Sequence, residues 1–392
     1  MIVHIGAPKT GTTFLQGVLW ANKAALAERG VFLPGRRQRS HFSAGNDLLG
    51  EDGTRFTKQQ RVDGAWDRLL RQVSSSSLPT AVFTDERLSA LPAAAIDRVA
   101  ELAADRELHV VYTVRDLHSL FPSAWQEQVK HGTVAALEPW VRRVLRNRSE
   151  GPGRDWFWRV HDVAAVLSRW EAVVDEPSRI HVVTMPADGS GPEELWHRFA
   201  AATELPGDVP LGGVATSNPS LDHAQVEFLR RVNAELRERL EPDEYRTWVR
   251  ERLAKQVLSP RSSGPRAGVP PDAHDEITRV GEEFVEHVAA AGYSIAGSLD
   301  DLAPRARTAP AALPTPEEVL AAGVGATAGL IDGLIQDLRD GRTVAAHSDE
   351  TRPRPVAEAG VDLARRSPAG RWLLGRYRTL RSAVRNRNVR RG

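Results

Sequence analysis

Residues 2–15 read Ile2-Val3-His4-Ile5-Gly6-Ala7-Pro8-Lys9-Thr10-Gly11-Thr12-Thr13-Phe14-Leu15, and this stretch decides the fold. Ile2 to Ile5 form an apolar-rich run of the kind buried in a parallel sheet. A glycine-rich turn, Gly6 to Thr13, follows it. Phe14, Leu15, Val18 and Leu19 then recur at i, i+1, i+4, i+5, the apolar stripe of a helix. A strand, a glycine-rich loop with a lysine, and a helix N-terminus together make an anion site. The glycines let the backbone come close, the first helical N–H groups lack partners, and the helix dipole favours negative charge there. Thr12 and Thr13 add hydroxyl donors and Lys9 adds a full positive charge. Read as a plain strand-to-helix turn, the same residues would leave Lys9 a surface lysine.

The nucleoside-triphosphatase loop has the order G-x-x-x-x-G-K-[ST], with its lysine after the second glycine. Here Lys9 precedes Gly11. A second segment carries related chemistry. Leu108 to Val114 is rich in β-branched residues and reads as a central strand. It runs into Arg115, with Ser123 eight residues further on. Arginine offers a planar fork to a phosphate dianion and serine adds a neutral donor. The competing reading is an arginine at a strand end and a serine near a helix start.

These two motifs, in this order, resemble the sulfotransferases that use 3′-phosphoadenosine 5′-phosphosulfate (PAPS). The likeness spans Met1 to Leu302. It implies a P-loop-containing parallel sheet flanked by helices, and transfer of a sulfuryl group to a hydroxyl of a carbohydrate, lipid or small molecule. It implies that Lys9 and the Thr10, Gly11, Thr12 and Thr13 backbone hold the 5′-phosphosulfate, with Lys9 also catalytic. It implies that Arg115 and Ser123 hold the 3′-phosphate. No metal is called for, since a sulfuryl group carries less charge than a phosphoryl group. A P-loop kinase and a non-catalytic nucleotide-binding protein are the alternatives. The first needs the Gly-Lys-Thr order, and intact Lys9, Arg115 and Ser123 argue against the second.

Such an enzyme needs a base for the acceptor proton. Ala81 to Thr84 reads as a strand, and Asp85, Glu86 and Arg87 follow its end, where parallel sheets gather functional groups. Glu86 sits where the glutamate branch of the family carries its base, which requires a tuned pKa. Pairing with Arg87 or capping the next helix is the structural reading of these acids. His41, in the polar stretch Arg39-Ser40-His41-Phe42, is the competing base. Arg154 to Arg159 mixes arginine with Trp156, Phe157 and Trp158, suiting either a sugar-stacking lid or plain helix packing. Arg261 and Arg266, in the loop from Ser259, are candidate donor contacts, although the loop departs from the best-known family version.

The chain has 392 residues, 41% hydrophobic and 26% charged, ordinary globular material long enough for a large domain with an appendage. It contains no cysteine, which excludes disulfides, thiol catalysis and cysteine-held zinc. Only five residues are lysine, so one inside the first loop is conspicuous. The site begins at Ile2, which leaves no room for a cleaved leader and predicts a cytoplasmic protein. No apolar run is expected to reach the length of a membrane span.

The first half alternates strands and helices, as parallel α/β proteins do. The expected strands are Ile2–Gly6, Ala81–Thr84, Leu108–Val114 and Ile180–Met185. The expected helices are Thr13–Arg29, Gly64–Ser74, Ala93–Asp105, Pro122–His131, Leu137–Arg148, Asp162–Val174 and Pro192–Ala202. The second half is helical over Ser220–Glu238, Pro242–Leu258 and Asp272–Ala291. The catalytic domain is expected to span 1–302. A Pro/Ala-rich linker over 303–316 and a helical, partly disordered basic tail over 317–392 follow.

The net charge of +1 hides an asymmetry. From Arg352 onward twelve arginines face only Glu358 and Asp362, a net of +10 that leaves the rest of the chain at −9. Such a tail suits an anionic partner, a membrane surface or nucleic acid. Within it, Leu373, Tyr377, Leu380 and Val384 recur at helical spacing. A basic helix over 371–390 lying on the inner face of an anionic membrane is therefore expected. Nucleic acid is not expected as a partner, and docking on the acidic body is the alternative.

Overall fold

The computed structural model describes residues 1–50, 63–101, 106–151, 153, 155–187, 190–214, 220–236, 238–303 and 312–340. By its contacts the chain falls into two units, Met1–Ala326 and Thr327–Gly392.

The first unit is an α/β structure around a parallel sheet. Its strands are β1 (Ile2–Gly6), β2 (Val31–Phe32), β3 (Thr80–Thr84), β4 (His109–Val114), β5 (Ile180–Thr184) and β6 (Ser294–Ala296). They lie in the order β2-β3-β1-β4-β5-β6, and every neighbouring pair is parallel. All five residues of β1 are buried, as a continuous apolar run in the middle of a parallel sheet requires. From β1 the chain adds strands on one side, then crosses to β4 and adds the rest on the other. The switch point therefore lies between β1 and β4, and ligands bind outside the strand ends at such a crevice. The loop carrying Lys9 follows β1, Glu86 follows β3, and Arg115 follows β4.

Helix α1 (Thr12–Ala21) packs Phe14, Leu15, Val18 and Leu19 into a core shared with Trp196 and Phe199. The expected helix Thr13–Arg29 is two helices, α1 and Lys23–Glu28, broken at Asn22. The Asn22 amide donates to the carbonyls of Val18 and Pro210, and the backbone there leaves the helical region. The helix expected from Pro122 begins earlier, at Leu117, because the Asp116 carboxylate accepts from the Ser119 N–H at 2.8 Å and caps it. Pro122 sits inside that helix. The polar stretch Arg39–Phe42, read as a loop, opens a helix, Arg39–Leu49, whose buried residues include His41, Ala44, Leu48 and Leu49.

Helix Pro242–Glu244 continues as a π-helix over Tyr245–Leu258. At 299–301 a 3₁₀ turn ends the sheet region. The Asp301 carboxylate there accepts from Thr184 Oγ1 at 2.8 Å and the Ala187 N–H at 3.0 Å, which ties the segment to β5. Residues 304–311 of the expected linker lie outside the described residues, as does the expected basic helix at 371–390. Helix Pro316–Arg339 is long and apolar enough to span a membrane by length and composition, which corrects the reading that nothing in the chain is. Asp332 interrupts its apolar run, and a criterion of unbroken runs passes over it.

Candidate active site

Two glycines build the loop after β1. Gly6 has φ +88°, and a Cβ there would stand 2.6 Å from the Glu86 Cα. Only glycine lets the turn after β3 come this close to the end of β1. Gly11 has φ +85° and caps α1. Between them Lys9 adopts φ +66°, a left-handed backbone uncommon for a residue with a side chain. The Thr10 hydroxyl points inward, donating to the Ala7 carbonyl and pairing with Thr113 Oγ1 at 2.6 Å. Its side chain braces the loop, so Thr10 can offer an anion only its N–H. The N–H groups that open α1 have no acceptor one turn back and face the crevice end of the helix. The Thr13 side chain is exposed.

The Thr12 hydroxyl is engaged within the protein. It donates to Glu86 Oε2 at 2.8 Å and so joins the loop to the acid after β3. Asp85 and Glu86 have separate work. The Asp85 carboxylate accepts from the backbone N–H of Arg87 at 3.0 Å and from its guanidinium, and it caps the 3₁₀ turn Glu86–Ala90. Pairing with Arg87 and capping thus fall to Asp85. Glu86 keeps its carboxylate toward the Lys9 loop. Burial first, and the Asp85 charge second, push the Glu86 carboxyl above its ordinary value, against the Thr12 hydrogen bond and the charges of Arg87 and Lys9.

The turn under Glu86 is held from below. Arg159 Nε donates to the Ala90 carbonyl at 2.9 Å, and Arg169 donates to the Ser89 carbonyl at 2.7 Å. Trp158 is fully buried, and Trp156–His161 is a short packed helix. The aromatic–arginine segment therefore supports the acid in place of the lid it could have formed; Arg154 lies outside the described residues.

Lys9 Nζ donates to Glu127 Oε2 at 3.0 Å. Glu127 is on helix Leu117–Lys130, one turn beyond the half-buried Ser123 and on the same face. The Arg115 guanidinium makes a long 3.5 Å contact with the Lys9 carbonyl and lies 4.0 Å from the Asp116 carboxylate. Lys9, Thr12, Glu86 and Arg115 thus meet around one loop, with Ser123 on the helix that meets Lys9.

His41 lies elsewhere. Its Nδ1 accepts the Thr84 N–H at 3.2 Å, so Nε2 carries the proton and donates to the Pro34 carbonyl at 2.9 Å. Burial lowers its pKa to about 4, and its ring packs against Trp20 and Phe83. Both nitrogens are engaged, Nδ1 holding helix 39–49 to β3 and Nε2 holding it to the segment after β2.

Arg261 ends the π-helix by donating to the Val257 carbonyl at 2.8 Å. The loop beyond it is tied down. Asp222 accepts from the N–H groups of Ser263 and Gly264, both at 3.3 Å, and His223 N donates to the Pro265 carbonyl at 2.8 Å. Arg266 is exposed on this loop. The sequence reading missed Glu127 and Arg169, and named Arg159 only within the segment read as a lid or as helix packing. Only Glu127 had a signal, its one-turn spacing from Ser123, and a helix starting at Pro122 hid the shared face.

No family model matches the chain, and no curated protein matches it. Among solved structures it is similar to a sulfotransferase from Alicyclobacillus acidocaldarius. That protein is 14% identical over 74% of this chain and 94% of its own, with a TM-score of 0.41.

Proposed function

We propose that this protein transfers a sulfuryl group from PAPS to a hydroxyl of a carbohydrate, lipid or small-molecule acceptor. The observation that carries the reading is the 2.8 Å bond from Thr12 to Glu86, which sets a carboxyl of raised pKa against the anion loop. A base of this kind is of use where an acceptor hydroxyl meets a bound electrophile. The N–H groups of Thr10, Gly11, Thr12 and Thr13 hold the 5′-phosphosulfate. Arg115 and Ser123 hold the 3′-phosphate. The acceptor oxygen attacks sulfur, and the bond from sulfur to the bridging oxygen breaks. The acceptor proton passes to Glu86 Oε. Lys9 stabilises the charge that collects on the bridging oxygen. Adenosine 3′,5′-bisphosphate leaves.

The test has two arms. Calorimetry compares adenosine 3′,5′-bisphosphate with ATP and magnesium, and mass spectrometry follows sulfation of host lipid and glycan extracts supplied with PAPS. Tight binding of the bisphosphate and a product 80 Da heavier support the reading, 80 Da being about the mass SO₃ adds when sulfur replaces the hydroxyl proton. Preference for ATP would turn it toward a kinase.

We further propose that the C-terminal unit brings the enzyme to an anionic membrane on its cytoplasmic face. Ile331, Leu334, Ile335 and Leu338 recur at i, i+3, i+4, i+7 and are 39–66% exposed. A +10 segment follows in sequence. An apolar stripe beside strong positive charge suits the boundary of an anionic bilayer.

A further inference from the structure

Glu127 has three basic side chains around it. Lys9 Nζ stands 3.0 Å from Oε2, Lys130 Nζ 3.7 Å from the same oxygen, and His131 Nε2 3.4 Å from Oε1. Burial alone would raise this carboxyl, but His131, Lys9 and Lys130 together hold it well below the usual carboxylate range. The Glu127 side chain remains 37% exposed, so the cluster opens to solvent and to an entering ligand.

The three partners differ in kind. Lys130 and His131 lie three and four residues along the same chain segment, the spacing at which helical side chains meet. They stay beside Glu127 whatever enters the loop. Lys9 reaches Glu127 from 118 residues away, off a loop whose backbone is already in a left-handed conformation. Its ammonium has three donors, and one of them goes to the Glu127 carboxylate. A lysine so paired must leave the Glu127 carboxylate before it can reach an arriving phosphosulfate.

We infer that Glu127 is a positioning residue that holds Lys9 in a resting place, from which the bound donor nucleotide draws it away. This rests on the sulfuryl-transfer reading of the site. The exchange is balanced in charge. When Lys9 turns to the bridging oxygen, Glu127 keeps Lys130 and His131 and is not left as an unpaired buried anion. Donor affinity is thus reduced by the share of molecules whose Lys9 is parked.

Two measurements test this. In the protein without ligand, competitive acetylation followed by peptide mapping reads the reactivity of Lys9, one of only five lysines. E127Q should label Lys9 several-fold faster than wild type, and equal rates overturn the inference. Calorimetry with adenosine 3′,5′-bisphosphate then forms a cycle of wild type, E127Q, K9A and the double variant. E127Q should tighten binding about tenfold, and the gain should largely disappear without Lys9. A gain of the same size in the K9A background overturns it, because Glu127 would then act only as a negative charge near an anion. Weaker binding in a normally folded E127Q overturns it as well. If wild type does not bind the bisphosphate at all, the donor assignment fails, while the labelling still reports whether Glu127 holds Lys9.

Discussion

Replacing Thr12 with valine removes one hydrogen bond from Glu86 and changes little else. Both residues are β-branched, close in size and similar in helix propensity, and Thr12 is the buried first residue of α1. The bond lost is the 2.8 Å contact from Oγ1 to Glu86 Oε2. It favours the ionised carboxylate and works against burial and the Asp85 charge, which both raise the pKa. A hydrogen bond to a charged group is worth about 1.5–3 kcal/mol, and 1.36 kcal/mol is one pKa unit, so the Glu86 pKa should rise by roughly 1–2 units. If Glu86 must be ionised to accept the proton, the acid limb of kcat/KM moves up the pH scale by the same amount. Any contact Thr12 also makes with the donor lowers the plateau and leaves the limb in place, so the two effects separate in one profile. The assay is initial-rate sulfation across pH 5 to 9, with Glu86→Gln as the inactive control. A plateau that falls while the limb stays fixed would refute the assignment of Glu86 as the titrating base.

Four further outcomes are expected. Lys9→Ala should lower turnover by on the order of 10²–10³ with its circular dichroism unchanged, and near-normal turnover would remove Lys9 from the chemistry. Arg115→Ala should weaken adenosine 3′,5′-bisphosphate far more than adenosine 5′-phosphosulfate in calorimetry; equal losses would assign it to the other phosphate or to the fold. Glu86→Gln should abolish transfer yet raise the thermal midpoint at neutral pH. The folded protein binds this proton more tightly than the unfolded chain, so the ionised form destabilises as pH rises from the ordinary 4.5 through the raised folded value. The gain should vanish below about pH 4.5, and a midpoint unchanged at pH 7 to 8 would contradict the burial argument. Full-length protein should sediment with anionic liposomes in low salt and a chain ending at Asp340 less so, with high salt abolishing the difference because exposed charges are screened beyond roughly 8–10 Å. Equal sedimentation of both would assign binding to the apolar stripe alone.

The sheet was legible in the sequence where strands are buried on both faces. β1, β3, β4 and β5 are apolar, β-branched runs, and their positions follow from that pattern. β2 is two residues long and β6 is Ser294-Ile295-Ala296, with Ile295 39% exposed. These edge strands exist because a neighbour offers free backbone groups, which no local pattern records. Helix 39–49 has its buried residues at 41, 44, 45, 46, 48 and 49, and the histidine, glycine and asparagine among them conceal any apolar period. Its formation depends on His41 bridging to Thr84 and on Arg87 donating to the Phe42 carbonyl, contacts across more than forty residues.

The site was legible in its positions and less so in its partners. Lys9 and Arg115 were named from their motifs and the family resemblance and Glu86 from its strand end and that resemblance, and the fold brings them together because loops after parallel strands converge at a switch point. Which of two adjacent acids is spent on structure is a different question, and the answer lies in geometry. Asp85 leaves β3 with an extended backbone, φ −160° and ψ 128°, and its short side chain reaches the N–H two residues on. Capping a turn suits aspartate, whose carboxylate sits close to its own backbone. Glu86 begins the turn and carries one more methylene, so its carboxylate extends past Gly6 to the first residue of α1. Reversing the two residues would place a long side chain at the cap and a short one facing the loop. Asp85→Glu with Glu86→Asp is therefore expected to lose both the cap and the contact to Thr12, although charge and composition stay the same. A swapped protein with wild-type stability and activity would mean that the acid pair is interchangeable and that the division of labour argued here is wrong.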